Sequence, residues 1–440
     1  MASAPVAAPA TTSSSSSGAN TSYLAPLSVL TSLFFMWGFL TCLNDVVSAR
    51  LRETFDLSYF QTGLVQSAFF AAYFVMSLPS GAIVKRVGYK SGIIIGLLGV
   101  AAGCALFYPA AGHRSFNMFL VALFVLASGI TLLQVAANPF VAVLGKPETA
   151  SSRLTLTQAF NSFGTTIAPK IGKFLILSSA VVGTAELAKM APAAREAYRA
   201  AEAASVQTPY IGLTIGVLIL AGAIAAFKLP KIQSSDDGSG AAALDDASGK
   251  SAWSHPHLVF GALAIFVYVG AEVAIGNYII PYFKQPYMGG FSTGEATDFL
   301  TYYWGGAMVG RFFGSLVTLR KFNAAKVLAI HAVGCVLLLA ITMATAGAAG
   351  RWSILAVGFF NSIMFPTIFT LAIAKLGRHT GQGSGILCMA IVGGAIIPPL
   401  TGRLADGIGI HHCFIAAAVC YAYIAWYGAK GSLPRARAAV

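Results

Sequence analysis

The chain has 440 residues, 57% of them hydrophobic and only 10% charged, with a mean hydropathy of +0.74. Soluble domains carry about 25% charged residues because a folded surface must be hydrated. So few charges on so long a chain count against a cytosolic enzyme, a nucleic-acid binder and a secreted disulfide scaffold, and the formal charge of +13 reads as membrane topology.

Residues 1–23 are rich in Ala, Ser and Thr and hold no Lys or Arg. They lack the basic region of a signal peptide and read as a disordered cytoplasmic tail. A helix crossing about 30 Å of hydrocarbon needs roughly 20 mostly apolar residues. Twelve such runs follow, at about 24–49, 60–84, 90–110, 116–143, 152–180, 208–229, 256–283, 299–319, 325–347, 352–376, 382–403 and 409–430. With the N-terminus inside, the cytoplasmic breaks and C-tail hold sixteen Lys and Arg and the outer breaks nine, which favours both termini in the cytoplasm. Lys170, Lys173 and Arg311 lie within spans. Six cysteines fall in apolar stretches without metal-ligand spacing and read as packing residues.

Segment 230–255 is polar, with Ser, Gly and two Asp pairs (Asp236-Asp237 and Asp245-Asp246), and reads as a flexible cytoplasmic linker rather than a calcium loop. It separates a six-helix bundle at 24–229 from another at 256–430, and 431–440 forms a second cytoplasmic tail. The halves repeat one another. Pro169-x-x-Gly172-Lys173 recurs as Pro399-x-x-Gly402-Arg403 at an offset of 230; Pro139 matches Pro366 at 227, and Gly81 matches Gly314 at 233. Three near-constant offsets on equivalent spans indicate duplication, and parallel six-helix halves around a central site describe the major facilitator fold. The expected architecture is an all-α integral membrane protein of two pseudo-symmetric bundles that acts as a monomer.

Polar side chains inside spans are costly and tend to face the bundle interior. The candidates are Trp37, Asn44 and Asp45 in span 1; Gln134 and Asn138 in span 4; Gln158 and Asn161 in span 5; and Tyr268, Glu272 and Asn277 in span 7. Gln134 and Asn138 are four apart, and Gln158 and Asn161 three apart, so each pair shares a helix face. Amides and aromatics around one cavity suit a small neutral sugar, the amides pairing with hydroxyls and the rings with the apolar face of a pyranose. The same amides have a second reading, as interhelical hydrogen bonds. Asp45 and Glu272 are the carboxylates within spans away from obvious loop ends, and a carboxyl in low dielectric can exchange a proton near neutral pH. Here too alternatives stand: Asp45 paired with Arg50 or Arg52, and Glu272 paired with Lys170, Lys173 or Arg311. Gly92-x-x-x-Gly96, Gly99-x-x-x-Gly103 and Gly306-x-x-x-Gly310 permit close helix contact. No Walker lysine motif is present, so the chain carries no nucleotide-driven energy source of its own.

Phe34-Phe35-Met36-Trp37-Gly38-Phe39 with Leu43-Asn44-Asp45, Ala136-Ala137-Asn138-Pro139-Phe140-Val141, Arg153-Leu154 and Gln158-Ala159-Phe160-Asn161-Ser162-Phe163-Gly164 resemble the fucose permease and glucose/galactose transporter family. Tyr268-Val269-Gly270-Ala271-Glu272 and Phe365-Pro366-Thr367-Ile368-Phe369 extend the resemblance, which covers about residues 25–430. It implies a secondary active hexose importer of a bacterial inner membrane, working by alternating access with a proton as coupling ion and no cofactor. It also implies proton coupling at Asp45 and sugar contact at Gln158 and Asn161. The fucose permease pattern has a glutamate where this chain has Gln134, and an amide where this chain has Glu272. Which sugar is carried (glucose, galactose, fucose or N-acetylglucosamine), and whether transport is proton-coupled, sodium-coupled or facilitative, stays open on the residues alone, as does a non-transporting membrane sugar sensor.

Overall fold

The computed structural model describes residues 23–54, 59–113, 115–176, 190–230 and 251–433; within these, 43–54, 59–67, 169–170, 172–176, 199–200, 202–206 and 293 are described as backbone alone. All but the last residue of the expected tail at 1–23, most of the linker and the last seven residues lie outside them.

The first half holds α1 (Leu24–Thr54), α2 (Tyr59–Gly112), α3 (Phe116–Val143), α4 (Ala150–Ile176) and α5 (Pro192–Ala226). The second holds α6 (Pro256–Phe283), α7 (Thr293–Phe313), α8 (Ala324–Ala344), α9 (Gly347–Asn361), α10 (Met364–Ala372), α11 (Thr380–Met389), α12 (Gly393–Ile408) and α13 (Ile415–Trp426). Helix α2 joins the expected second and third spans. Gly88 divides it into two arms at φ +80° and ψ 169°, a left-handed backbone that a side chain would strain. Helix α5 begins sixteen residues before its expected start at 208, because Pro192–Gln207 is an Ala-rich, charged, helix-forming stretch with Pro at the first turn. Its apolar part, Gln207–Ala226, is the part that suits a membrane.

Among the described residues, eight helical stretches are long and apolar enough to cross a membrane, and one of them, Ala68–Gly112, contains both arms of α2. Start signals are local. Ser115 caps α3, Asn323 caps α8, and Ser292 with Glu295 forms a reciprocal capping box on α7. Two spans of the second half are interrupted. One breaks between α9 and α10 at 362–363, the other between α11 and α12 at the 3-10 turn Ala390–Val392.

Helices of the first half pack chiefly on one another, α1 on α4 and α2 on α3 and α5. In the second half α6 meets α10, α12 and α13, while α9 joins α7 to α8. Short connections make successive rods antiparallel, and the turns near 85–90, 146, 228, 320–326, 375–378 and 430 therefore share one end. Lys85, Arg86, Lys90, Lys146, Lys228, Arg320, Lys321, Lys326, Lys375, Arg378 and Lys430 cluster there, and we call it the basic end.

The halves meet along two seams that both lie toward the basic end, α2 and α3 against α11, and α4 against α10 and the π turn Gly314–Thr318 that extends α7. In the first seam Ser384 Oγ donates to Val135 O at 2.9 Å. Backbones touch as well: a Cβ on Gly81 would stand 3.0 Å from Gly381 O, and one on Gly385 would stand 2.7 Å from Ser77 O. In the second seam the Ser151 and Thr370 hydroxyls lie 2.6 Å apart, and Ser152 Oγ donates to Ser315 O at 2.6 Å. Gly81 and Gly314, matched by sequence offset, thus occupy corresponding places in the two seams.

The expected linker is not wholly loose. Its last residues form the turn Ala252–Ser254 against α11, where Ala252 N donates to Gln382 Oε1 and Gln382 Nε2 donates to Ser251 Oγ, each at 3.1 Å.

Candidate functional site

Above the seams the halves part around a cavity of about 220 Å³. Helix α1 contributes Trp37, Gly38 and Thr41; the first arm of α2 contributes Phe69 and Tyr73; α3 gives Gln134, and α4 gives Gln158, Asn161 and Thr165. From the second half come Tyr268, Val269 and Glu272 on α6, Arg311 on α7, Phe365 and Pro366 on α10, and Ile391. Both interruptions in the second half lie beside this wall, where irregular backbone borders a cavity rather than lipid.

Six of the residues expected from sequence meet here: Trp37, Gln134, Gln158, Asn161, Tyr268 and Glu272. Asn138 does not line the cavity; it is fully buried one turn nearer the basic end. Asn277 is exposed and also lies off the cavity, because five residues of helix turn it about 140° from Glu272. The side chains of Asn44 and Asp45 lie outside the described residues.

The hydrogen bonds show which polar atoms are already committed. Gln134 Nε2 donates to Tyr73 OH at 3.0 Å, which leaves the tyrosine O–H directed elsewhere. Cys388 Sγ, across the first seam, lies 3.9 Å from Gln134 Oε1. Asn161 Nδ2 donates to Phe34 O at 2.9 Å, so the interhelical reading holds for this amide, and its oxygen is what it offers to the cavity. Thr41 and Thr165 return their hydroxyls to Trp37 O and Ser162 O. Gln158, only 8% exposed, lines the cavity with its amide, while its backbone oxygen accepts from Ser162 Oγ. Gln158 is the lining amide whose side-chain polar atoms no described neighbour takes up.

One charge pair stands in the wall. Arg311 Nη2 lies 3.7 Å from Glu272 Oε1, and the same carboxylate oxygen accepts from Tyr268 OH at 2.8 Å. Arg311 also donates from Nε to Ser362 O at 3.1 Å and from Nη1 to Ser162 Oγ, reaching across to α4. The structural partnership weighed for Glu272 is therefore present, with Arg311 as the partner. Sequence reasoning did not assign Arg311 or Tyr73 to the cavity. The available signal for Tyr73 was its spacing to Ser77 and Ser80, which places all three on the helix face that meets the other half.

A clamp fixes the corner between α3 and α4. The buried Arg153 guanidinium donates to Ala142 O at 2.6 Å, Lys146 O at 2.8 Å, Val141 O at 3.3 Å and Thr149 Oγ1. It thereby satisfies carbonyls that the end of α3 leaves without helical partners.

The Major Facilitator Superfamily profile matches residues 28–397. A glucose/galactose transporter of Brucella abortus is 53% identical over 406 residues, covering 92% of this chain and 94% of the relative. The L-fucose-proton symporter of Escherichia coli K12 is 38% identical over 409 residues, covering 92% and 93%. Among solved structures, the major facilitator transporter FucP in the outward conformation matches with a TM-score of 0.84 at 37% identity, covering 92% of this chain and 98% of that one. The family expected from the span pattern and motifs is thus the family found: the chain belongs to the Major Facilitator Superfamily and is a multi-pass membrane transporter.

Proposed function

We propose that the chain imports a neutral hexose of the glucose/galactose class across a bacterial inner membrane, coupled to a proton. One observation carries the reading. Among the described residues the cavity between the halves offers an amide whose side chain no neighbour takes up, a tyrosine hydroxyl and several aromatic faces, while the carboxylate and guanidinium of Glu272 and Arg311 balance each other. A described lining of net formal charge zero, rich in neutral donors and acceptors, favours a polyol over an ion. The names of the relatives, a glucose/galactose transporter and a fucose-proton symporter, support the same class.

In this reading the six-helix halves 24–229 and 256–430 are the moving units, both termini and the basic end face the cytoplasm, and a single chain suffices. Sugar enters from the end opposite the seams and contacts Gln158, the Asn161 oxygen, Tyr73 and Trp37. Asp45 carries the coupling proton, and Glu272 is the second acid, whose protonation would release Arg311 from its counter-charge while Ser162 and Ser362 still hold it. The test is uptake of labelled D-glucose, D-galactose and L-fucose into proteoliposomes under an imposed pH gradient. Gradient-dependent accumulation of a hexose is expected. Absence of accumulation of all three refutes the function, and accumulation driven by sodium but not by protons refutes the coupling.

A further inference from the structure

The polar faces that line the cavity do not stop at its floor. Ser80, Asn138, Thr155 and Thr367 are all fully buried, and each carries side-chain polar atoms without a hydrogen-bond partner among the described residues, both amide atoms in the case of Asn138. Each continues a cavity residue toward the basic end. Ser80 follows Tyr73 by seven residues and Asn138 follows Gln134 by four; Thr155 precedes Gln158 by three, and Thr367 adjoins Pro366. Spacings of three, four and seven keep the first three pairs on one helix face.

All four belong to the seams. Ser80 neighbours Gly81, whose backbone faces Gly381, and Asn138 lies one turn beyond Val135, which accepts from Ser384. Thr155 Cγ2 would stand 3.9 Å from a Cβ on Gly314, and Thr367 precedes by one turn the Thr370 that meets Ser151. A contact built only to stay shut would be apolar, since a buried polar atom loses its water and gains nothing. Here the closed seams hold the donors and acceptors of the cavity itself, hidden.

We propose that these four residues line the basic-end leg of the sugar path. When the seams part, Asn138 becomes the main amide met by the departing sugar, with the hydroxyls of Ser80, Thr155 and Thr367 around it. This rests on the sugar-carrier reading above and adds a second, transient station to it. Hydration of these groups on opening also offsets part of the loss of the seam contacts.

The test introduces Asn138→Cys, Thr155→Cys and Thr367→Cys singly into the full chain in proteoliposomes and alkylates with N-ethylmaleimide, read peptide by peptide by mass spectrometry. The native, fully buried Cys388 beside Gln134 serves as the internal reporter of seam opening. Expected is alkylation of each introduced thiol in step with Cys388, slowed several-fold by saturating D-galactose on the basic-end side. Alkylation of Cys388 without the introduced thiols overturns the proposal, as does lack of reaction at all of them. A second measurement needs no new thiol. Asn138→Leu, or Thr155→Val with Thr367→Val should Asn138→Leu fail to fold, should keep external D-galactose affinity and slow Cys388 alkylation on the order of ten-fold. Wild-type alkylation in the folded variant overturns the proposal. If wild type moves no sugar, the carrier reading fails, while the thiol pattern still reports on the path.

Discussion

Gly385→Ala tests whether the backbone contact between α11 and α2 holds the basic end shut. The new Cβ would stand 2.7 Å from Ser77 O, where ordinary contact begins at 3.4 Å, so the two backbones must separate by about 0.7 Å. Overpacking of this kind costs about 1–3 kcal/mol. The penalty falls only on the state in which the seam is closed. Alanine also favours helix over glycine by about 1 kcal/mol in either state, so overall stability should change little. The ratio of open to closed seam should therefore rise by about 5- to 150-fold. Faster alkylation of Cys388 by N-ethylmaleimide reads that ratio. The apparent affinity for D-galactose added from the opposite end should fall as the fraction of closed molecules falls. Unchanged alkylation and unchanged affinity in a well-expressed variant would refute the reasoning, because the close approach would then not distinguish the two states.

Gln158→Ala should weaken sugar binding by about 5- to 150-fold with an unchanged melting temperature, since its amide has no described partner within the protein. Asn161→Ala should lower both, because its Nδ2 also ties α4 to Phe34 O; equal melting curves for the two variants would contradict the assignment. Removal of one partner from the Glu272–Arg311 pair leaves the other charge partly buried, so Glu272→Gln should destabilise the protein by up to about 3 kcal/mol, and combining Glu272→Gln with Arg311→Met should recover much of it in thermal unfolding. Asp45→Asn should abolish proton-driven accumulation yet retain sugar counterflow, and full accumulation in that variant would move the coupling site elsewhere. At the mouth of α7, hydrogen bonds from Ser292 hold the exposed Glu295 carboxyl below its usual range. A depressed folded value means that the stabilisation is present above the unfolded pKa and lost as pH falls through the folded one. Glu295→Gln should lower the melting temperature at pH 7, and the difference should shrink as pH falls below the ordinary glutamate range.

Much of this site was legible because polar residues in a hydrocarbon-length span have few places to go. Trp37, Gln134, Gln158, Asn161, Tyr268 and Glu272 reach one cavity as their helix faces required. What the spacing could not resolve was depth along a face. Gln134 and Asn138 point the same way, yet one turn, about 5.4 Å of rise, carries Asn138 from the cavity into the closed seam. Asn277 failed on angle rather than depth. The partner of Glu272 was left among three cations because the pairing is set by how α6 and α7 pack, which periodicity within one helix does not encode. Helix lengths went astray where composition favours helix beyond the apolar limit, as in Pro192–Gln207, and where Gly88 turns the chain without ending the hydrogen-bonded run.

The Arg153 clamp has a mechanical consequence. From the first turn of α4, the Arg153 guanidinium grips the last carbonyls of α3 and the turn between the helices, which braces the corner as an elbow. Gln134 and Gln158 stand on the two arms of that elbow, so the clamp sets the spacing between the two arms on which they sit. A preorganised gauge of this kind spends little of the binding free energy on ordering itself. In the alternating-access reading proposed above, the two helices would then move together, and the spacing between their cavity-facing side chains would stay constant.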